Sequence, residues 1–222
     1  KNGYGSKITN IFSSEFTIET VDSKRKLKYT QTWRKNMTEI GEPVIEKYSK
    51  VPYTKITYKP DYERFKVSNP IVLGDWLLLK KRVYDASACT GAGVTVYLNG
   101  EKIGIKNFED YINLYIGRKS ETKRVFTEVN DRWQVGICLS PEGEAEQVSF
   151  VNGISTDRGG RHVSHVMDNL SKKIIDSISE SAKKKGVTIR PEFIKRNLFL
   201  FLKATVVNPK FDTQTIKFRV YN

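Results

Sequence analysis

The sequence predicts a mixed α/β (α+β) fold. Three observations carry this. Short strands of alternating apolar and polar residues recur early, as in FTIETV (16–21) and KLKYTQTW (26–33). A long amphipathic helix is written into residues 163–185, where Val163, Val166, Leu170, Ile174, Ile178 and Ala182 recur every three or four positions. An almost wholly apolar run, LFLFLKATVV, then reads as a strand buried on both faces.

The elements follow in order. Residues 6–14 are expected to form a short helix, with Ile8, Ile11 and Phe12 at helical spacing. The strands 16–21 and 26–33 flank DSKRK, which reads as a hairpin turn. After a polar stretch containing Gly41 and Pro43, YTKITYKP (53–60) is a third strand of an antiparallel meander. DWLLLKKRVYDASA (75–88) reads as a helix with Asp75 as N-cap. Residues 94–103 form a hairpin about Asn99-Gly100, a strong turn signal. Residues 107–117 form a helix stopped by Gly117. The charged segment RKSETKR (118–124) is the expected domain boundary. Beyond it, residues 132–140 and 146–154 read as strands and STDRGGRH as a loop. The long helix ends at KKKG, cations in its last turn and a glycine stop, as the helix dipole favours.

Composition narrows the function. The 222 residues carry a formal charge of +13, a field that attracts polyanions, with nucleic acid the first expectation. No apolar run approaches the ~20 residues that span a bilayer, so no membrane partner is expected. Two cysteines, Cys89 and Cys138, make no disulfide framework, and with two histidines they lack metal-ligand spacing. No metal site is expected within the chain.

Four stretches bear on chemistry. In Asn2-Gly3-Tyr4-Gly5-Ser6-Lys7, glycines permit a left-handed turn and close ligand approach, and a helix follows at once. Its backbone N–H groups and positive end suit phosphate, with Lys7 supplying charge. Taken alone, a tight turn feeding a helix is the plainer reading. Gly159-Gly160-Arg161-His162 precedes the long helix. His162 or Arg161 is a catalytic candidate there, but a sharp turn in which His162 fixes the helix start is preferred, and His165 reads as structural or solvated. Lys183, Lys184 and Lys185 at the helix tip suit the dipole and also suit DNA phosphates. Asn208-Pro209-Lys210-Phe211-Asp212-Thr213-Gln214-Thr215 stops a strand and opens a loop.

Taken together, these stretches resemble one family. NGYGSKITNIFS, YTKITYKPDYERF, KKRVYD, VYLNGEKI, VSFVNGISTDRGGRHV and FDTQT are similar, in order, to the ATPase region of eukaryotic-type (type IIA) DNA topoisomerase II, a relative of the gyrase B subunit. The resemblance covers roughly residues 1–215. It implies that 1–117 is the C-terminal part of a GHKL (Bergerat) ATP-binding sandwich. Residues 118–222 would be a transducer domain like the second domain of ribosomal protein S5. It implies ATP on Asn2, Gly3, Tyr4, Gly5 and Lys7, and a glutamine and lysine, Gln214 and Lys217, sent toward the γ-phosphate. It further implies double-stranded DNA on Lys183–Lys185, a homodimer closed by ATP, and a nuclear enzyme.

Two departures are expected to matter. The family's Gln-Thr-Lys reads Gln214-Thr215-Ile216 here, with Lys217 one place late, and the tail IKFRVYN matches nothing in the family. The family's general-base glutamate, its Mg²⁺-holding asparagine and its adenine-reading Asp-x-Gly-x-Gly box all precede the glycine loop. Glu15 and Glu19 follow the loop and read as solvated. The chain by itself is therefore expected not to hydrolyse ATP. The alternative is a non-catalytic DNA-binding clamp module derived from the same family.

Overall fold

The computed structural model describes residues 3–67, 72–91 and 93–211, with the backbone of 220 and 221. The chain divides into two compact units, residues 1–74 and 75–222.

The first unit opens with helix α1 (Tyr4–Ile11). It begins inside the glycine stretch, two residues before the expected start. Strand β1 (Ser13–Asp22) pairs antiparallel with β2 (Leu27–Arg34) and, on its other side, with β5 (Thr54–Pro60). Two short strands, β3 (Glu39–Ile40) and β4 (Val44–Lys47), both pair with β2. They fall in the stretch read from sequence only as polar. Gly41 separates them because it must: its N–H reaches Thr32 O at 2.9 Å, and a Cβ there would lie 2.7 Å from that same oxygen. Pairing sets one face of the sheet apolar, with Phe16 opposite both Trp33 and Tyr58, and Ile18 opposite Ile56.

The second unit is built on a five-stranded sheet ordered β11-β10-β12-β9-β8: β8 (Arg124–Asn130), β9 (Trp133–Leu139), β10 (Glu146–Val151), β11 (Ile154–Ser155) and β12 (Leu198–Ala204). Residues 146–154, expected as one strand, are a hairpin turning at Asn152-Gly153, both at positive φ. The central strand β12 is parallel to β10 and antiparallel to β9. Its alternation feeds two cores. Phe199 and Phe201 pack with Phe108, Tyr111, Ile112 and Phe150, whereas Leu198, Leu200 and Leu202 pack with Val135 and Met167.

Helix α2 (Leu73–Cys89) and helix α3 (Phe108–Ile116) supply the first core. Asp75 lies in the first turn of α2 rather than at its N-cap. Asn107 does cap α3, its side chain accepting from Asp110 N at 2.8 Å. The expected Asn99-Gly100 turn joins two short strands, β6 (Tyr97–Leu98) and β7 (Glu101–Lys102), with φ of 52° and 83°. Helix α4 (Arg161–Lys184) covers the second core, followed by the short α5 (Pro191–Arg196). Segment 118–124 ends in a locked residue. The Arg124 side chain is 2% exposed and donates to Gly117 O at 2.9 Å and to Asn113. A last pair, β13 (Lys210–Phe211) with β14 (Val220–Tyr221), closes the chain.

Candidate functional site

Gly3 is the N-cap of α1, with φ 68° and ψ 14°. Glycine takes that left-handed conformation without steric cost. No side chain caps the helix, and its first turn holds no acid, so the first amides of α1 keep their donors. Residues 3–8, Lys7 among them, are exposed, and a Cβ at Gly3 or Gly5 would meet nothing within 4 Å. Thr9 Oγ1 donates to Gly5 O at 2.9 Å and Ser13 Oγ to Thr9 O at 2.6 Å, tying the helix to the start of β1. The result is an open, donor-rich helix start beside a lysine, which fits a phosphate chain. Asn2 lies outside the described residues.

Glu15 and Glu19 are not simply solvated. Glu15 is held between Arg34 and Lys59, and Glu19 accepts from Tyr53 at 2.8 Å while pairing with Lys55. Lys59, then Arg34, draws the Glu15 carboxyl below its ordinary pKa, and Tyr53, then Lys55, does so for Glu19. Both are fixed anions, poorly matched to a base that must take a proton from water.

The glycine pair ahead of α4 makes a sharp turn, with φ 69° at Gly159 and 144° at Gly160. It drops His162 into the protein, 5% exposed. Its Nε2 lies 3.0 Å from Thr156 Oγ1 and 3.3 Å from Ser149 Oγ. Those two hydroxyls are 2.5 Å apart, and Ser149 Oγ also donates to Thr156 O. His162 thus pins the start of α4 to the β10–β11 hairpin, as the structural reading of the motif expects. Burial pulls its pKa down to about 4, so the ring is neutral near pH 7. His165 and Arg161 are exposed on the same helix. Burial raises Cys89 to about 12 and also raises Cys138, so neither thiol is activated.

Lys183, Lys184 and Lys185 are exposed at the C-terminal end of α4. Gly186 turns at φ 67°, and its N–H bonds Lys183 O while Val187 N bonds Ala182 O. The three cations stand at a defined helix tip. Gln214, Thr215, Ile216 and Lys217 lie outside the described residues, as does most of the tail. The structure therefore brings together Gly3, Tyr4, Gly5 and Lys7, and separately Lys183–Lys185.

Sequence reasoning missed a buried polar centre. Asp85 on α2 is 4% exposed and accepts from Lys81 Nζ at 3.0 Å, Arg82 Nη1 at 3.1 Å and the Tyr111 hydroxyl at 2.5 Å. The signal was an acid three positions before the fully buried Ala88, on the same face of α2 and among Tyr84, Ser87 and Ala88.

A donor-rich helix start, then an antiparallel sheet, then a helix-covered mixed sheet define a mixed α/β protein of two units. The DNA gyrase B family model matches residues 104–218, and the chain belongs to that family. It is 43% identical over 224 residues to DNA topoisomerase 2 of Arabidopsis thaliana, covering 97% of this chain and 15% of that protein. The ATPase and transducer domains of DNA topoisomerase II from Balamuthia mandrillaris superpose with a TM-score of 0.88 at 41% identity, covering all of this chain and 56% of that one. The ATPase region of Saccharomyces cerevisiae topoisomerase II gives 0.86 at 37%, with the same coverage. The fold is therefore that of topoisomerase II ATPase regions, a GHKL-type arrangement. The chain spans about 15% of the length of the curated relatives it matches.

Proposed function

We propose that this stretch serves an ATP-dependent type II DNA topoisomerase, supplying the phosphate loop and the transducer of its N-terminal gate. Residues 1–117 act as the C-terminal part of the nucleotide-binding domain and 118–222 as the transducer. That division follows the family resemblance, while packing alone divides the chain after Gly74. ATP lies with its phosphates on the amides of Gly3, Tyr4 and Gly5, with Asn2 and Lys7 beside them. Mg²⁺ is held by a residue N-terminal to this stretch. Gln214 and Lys217 meet the γ-phosphate. Binding joins two copies around a DNA duplex that Lys183, Lys184 and Lys185 touch, in the nucleus. The observation that carries the reading is the uncapped α1, opened by a left-handed Gly3 and free of acid in its first turn.

A chimera tests it. Residues 1–222 replace the matching stretch of the Arabidopsis enzyme, and ATP-dependent DNA relaxation is measured. Relaxation is expected, with Lys7→Ala raising the ATP concentration needed. A folded chimera that binds duplex DNA with no response to ATP overturns the reading in favour of a non-catalytic DNA clamp.

A further inference from the structure

A row of uncompensated charge sits at the far end of the first sheet. The β1–β2 hairpin turns through Ser23, Lys24, Arg25 and Lys26, all exposed. The turn is pre-set: Asp22 Oδ1 accepts from Lys24 N at 2.9 Å and Arg25 N at 3.1 Å, and Lys26 adopts a left-handed φ of 55°. Strand β4 delivers a fourth cation, Lys47, opposite Leu27. Beyond it, residues 48–53 cross the same end of the sheet, anchored by Tyr48 N to Lys26 O at 2.8 Å and by Val21 N to Tyr53 O at 3.0 Å. That crossing carries Lys50, also exposed.

The acids at this end are spent. Asp22 pairs with Arg25, and Glu46 pairs with Lys28. Lys24, Lys26, Lys47 and Lys50 have no ion pair among the described residues. They do not converge on one point. They sit on the β1–β2 turn, at the end of β4 and on the crossing, at the edge of three neighbouring strands about 5 Å apart, a row roughly 10 Å wide before the side chains extend. A row of diverging lysines suits a polymer of phosphates rather than one compact anion. The row lies one strand length from the C-terminal end of α1, since β1 is 10 residues long, about 30 Å at the usual rise per residue.

We propose that this hairpin end is a second contact for the phosphate backbone of duplex DNA, separate from the α4 tip and reading no sequence. It rests on the duplex-binding part of the function proposed above. Lysines on a rigid turn hold ammonium groups near phosphates and displace their counterions, and that release is what salt titration measures.

The test is binding of the 222-residue chain to a fluorescent random-sequence duplex, as log K against log salt. Lys24→Gln, Lys26→Asn, Lys47→Gln and Lys50→Gln are combined, asparagine being chosen because it tolerates the left-handed turn. The slope is expected to fall in magnitude by about 3–4, near 0.9 for each contact. The pair Lys47→Gln and Lys50→Gln, which leaves the hairpin turn intact, is expected to lower it by about 2. An unchanged slope in both variants, with Lys183–Lys185→Ala still lowering it, overturns this contact alone. A wild-type chain that ignores duplex DNA overturns this contact and the parent reading together. Loss of binding to phosphatidylserine vesicles with an unchanged duplex slope overturns it in favour of an anionic lipid surface.

Discussion

The hydroxyl of Tyr111 donates to Oδ1 of Asp85 across 2.5 Å, joining α3 to α2 inside the second unit. Tyr111 is 1% exposed and Asp85 4%, so neither finds water as a substitute. Burial, then the Asp85 bond, pushes the phenol pKa upward, so it stays a donor at any ordinary pH. Tyr111→Phe is expected to cost about 1–3 kcal/mol, because it strips a donor from a buried carboxylate. Asp85→Asn is expected to cost a similar amount, since Lys81 and Arg82 lose their anion. The double variant should cost less than the sum. Urea unfolding of the four proteins checks this, and strict additivity refutes the coupling.

His162 gives stability a pH dependence of defined sign. Its folded pKa is lowered to about 4 by burial, against an ordinary value of 6.5. Between those values the unfolded chain binds more protons, so stability rises with pH there. The contribution is fully present above pH 6.5 and is lost as pH falls through the folded value. Its size is about 3 kcal/mol from the two pKa values. Tm measured from pH 7 to 4.5 should fall more steeply for the wild type than for His162→Gln. Parallel curves refute the assignment.

Gly136 marks where α3 rides closest to the sheet. A Cβ there would lie 2.5 Å from Ile112 Cδ1 and 3.4 Å from Phe201 Cβ. Gly136→Ala is therefore expected to destabilise by about 1–3 kcal/mol through overpacking. Adding Ile112→Val removes the crowding methyl and should restore part of the loss. Thermal unfolding decides it: a double variant no better than Gly136→Ala shows that backbone, not Ile112, sets the limit.

These residues also show what a sequence can disclose. The Asn99-Gly100 hairpin and the period of α4 are local, so spacing revealed them. Strand β8 was hidden because it is an edge strand: Val125 and Val129 are 69% and 61% exposed, and of its apolar side chains only Phe126 packs inward. Its alternation is weak for that reason. Helix α5 is 6 residues long, too short to show a helical period. The Asp85–Tyr111 bond joins residues 26 apart, and nothing local to either announces the other. The glycine loop was legible as a tight turn feeding a helix, and its reading as a phosphate site came from resemblance across many separated stretches.

The carboxylates nearest the glycine loop in sequence supply the last prediction. A general base in ATP hydrolysis needs a pKa raised toward neutrality and room for a water. Glu15 and Glu19 have the reverse: each is held by a cation across the strands, and each pKa is lowered. In the Arabidopsis chimera, Glu15→Gln and Glu19→Gln are expected to leave ATP turnover within about twofold, since neither group takes part in the proton transfer that general-base catalysis enhances by ~10²–10⁴. The 222-residue chain alone is expected to show no magnesium-dependent turnover. A hundredfold fall in the chimera on replacing either glutamate, without loss of folding, would make that residue the base. It would also place the hydrolytic chemistry inside this stretch.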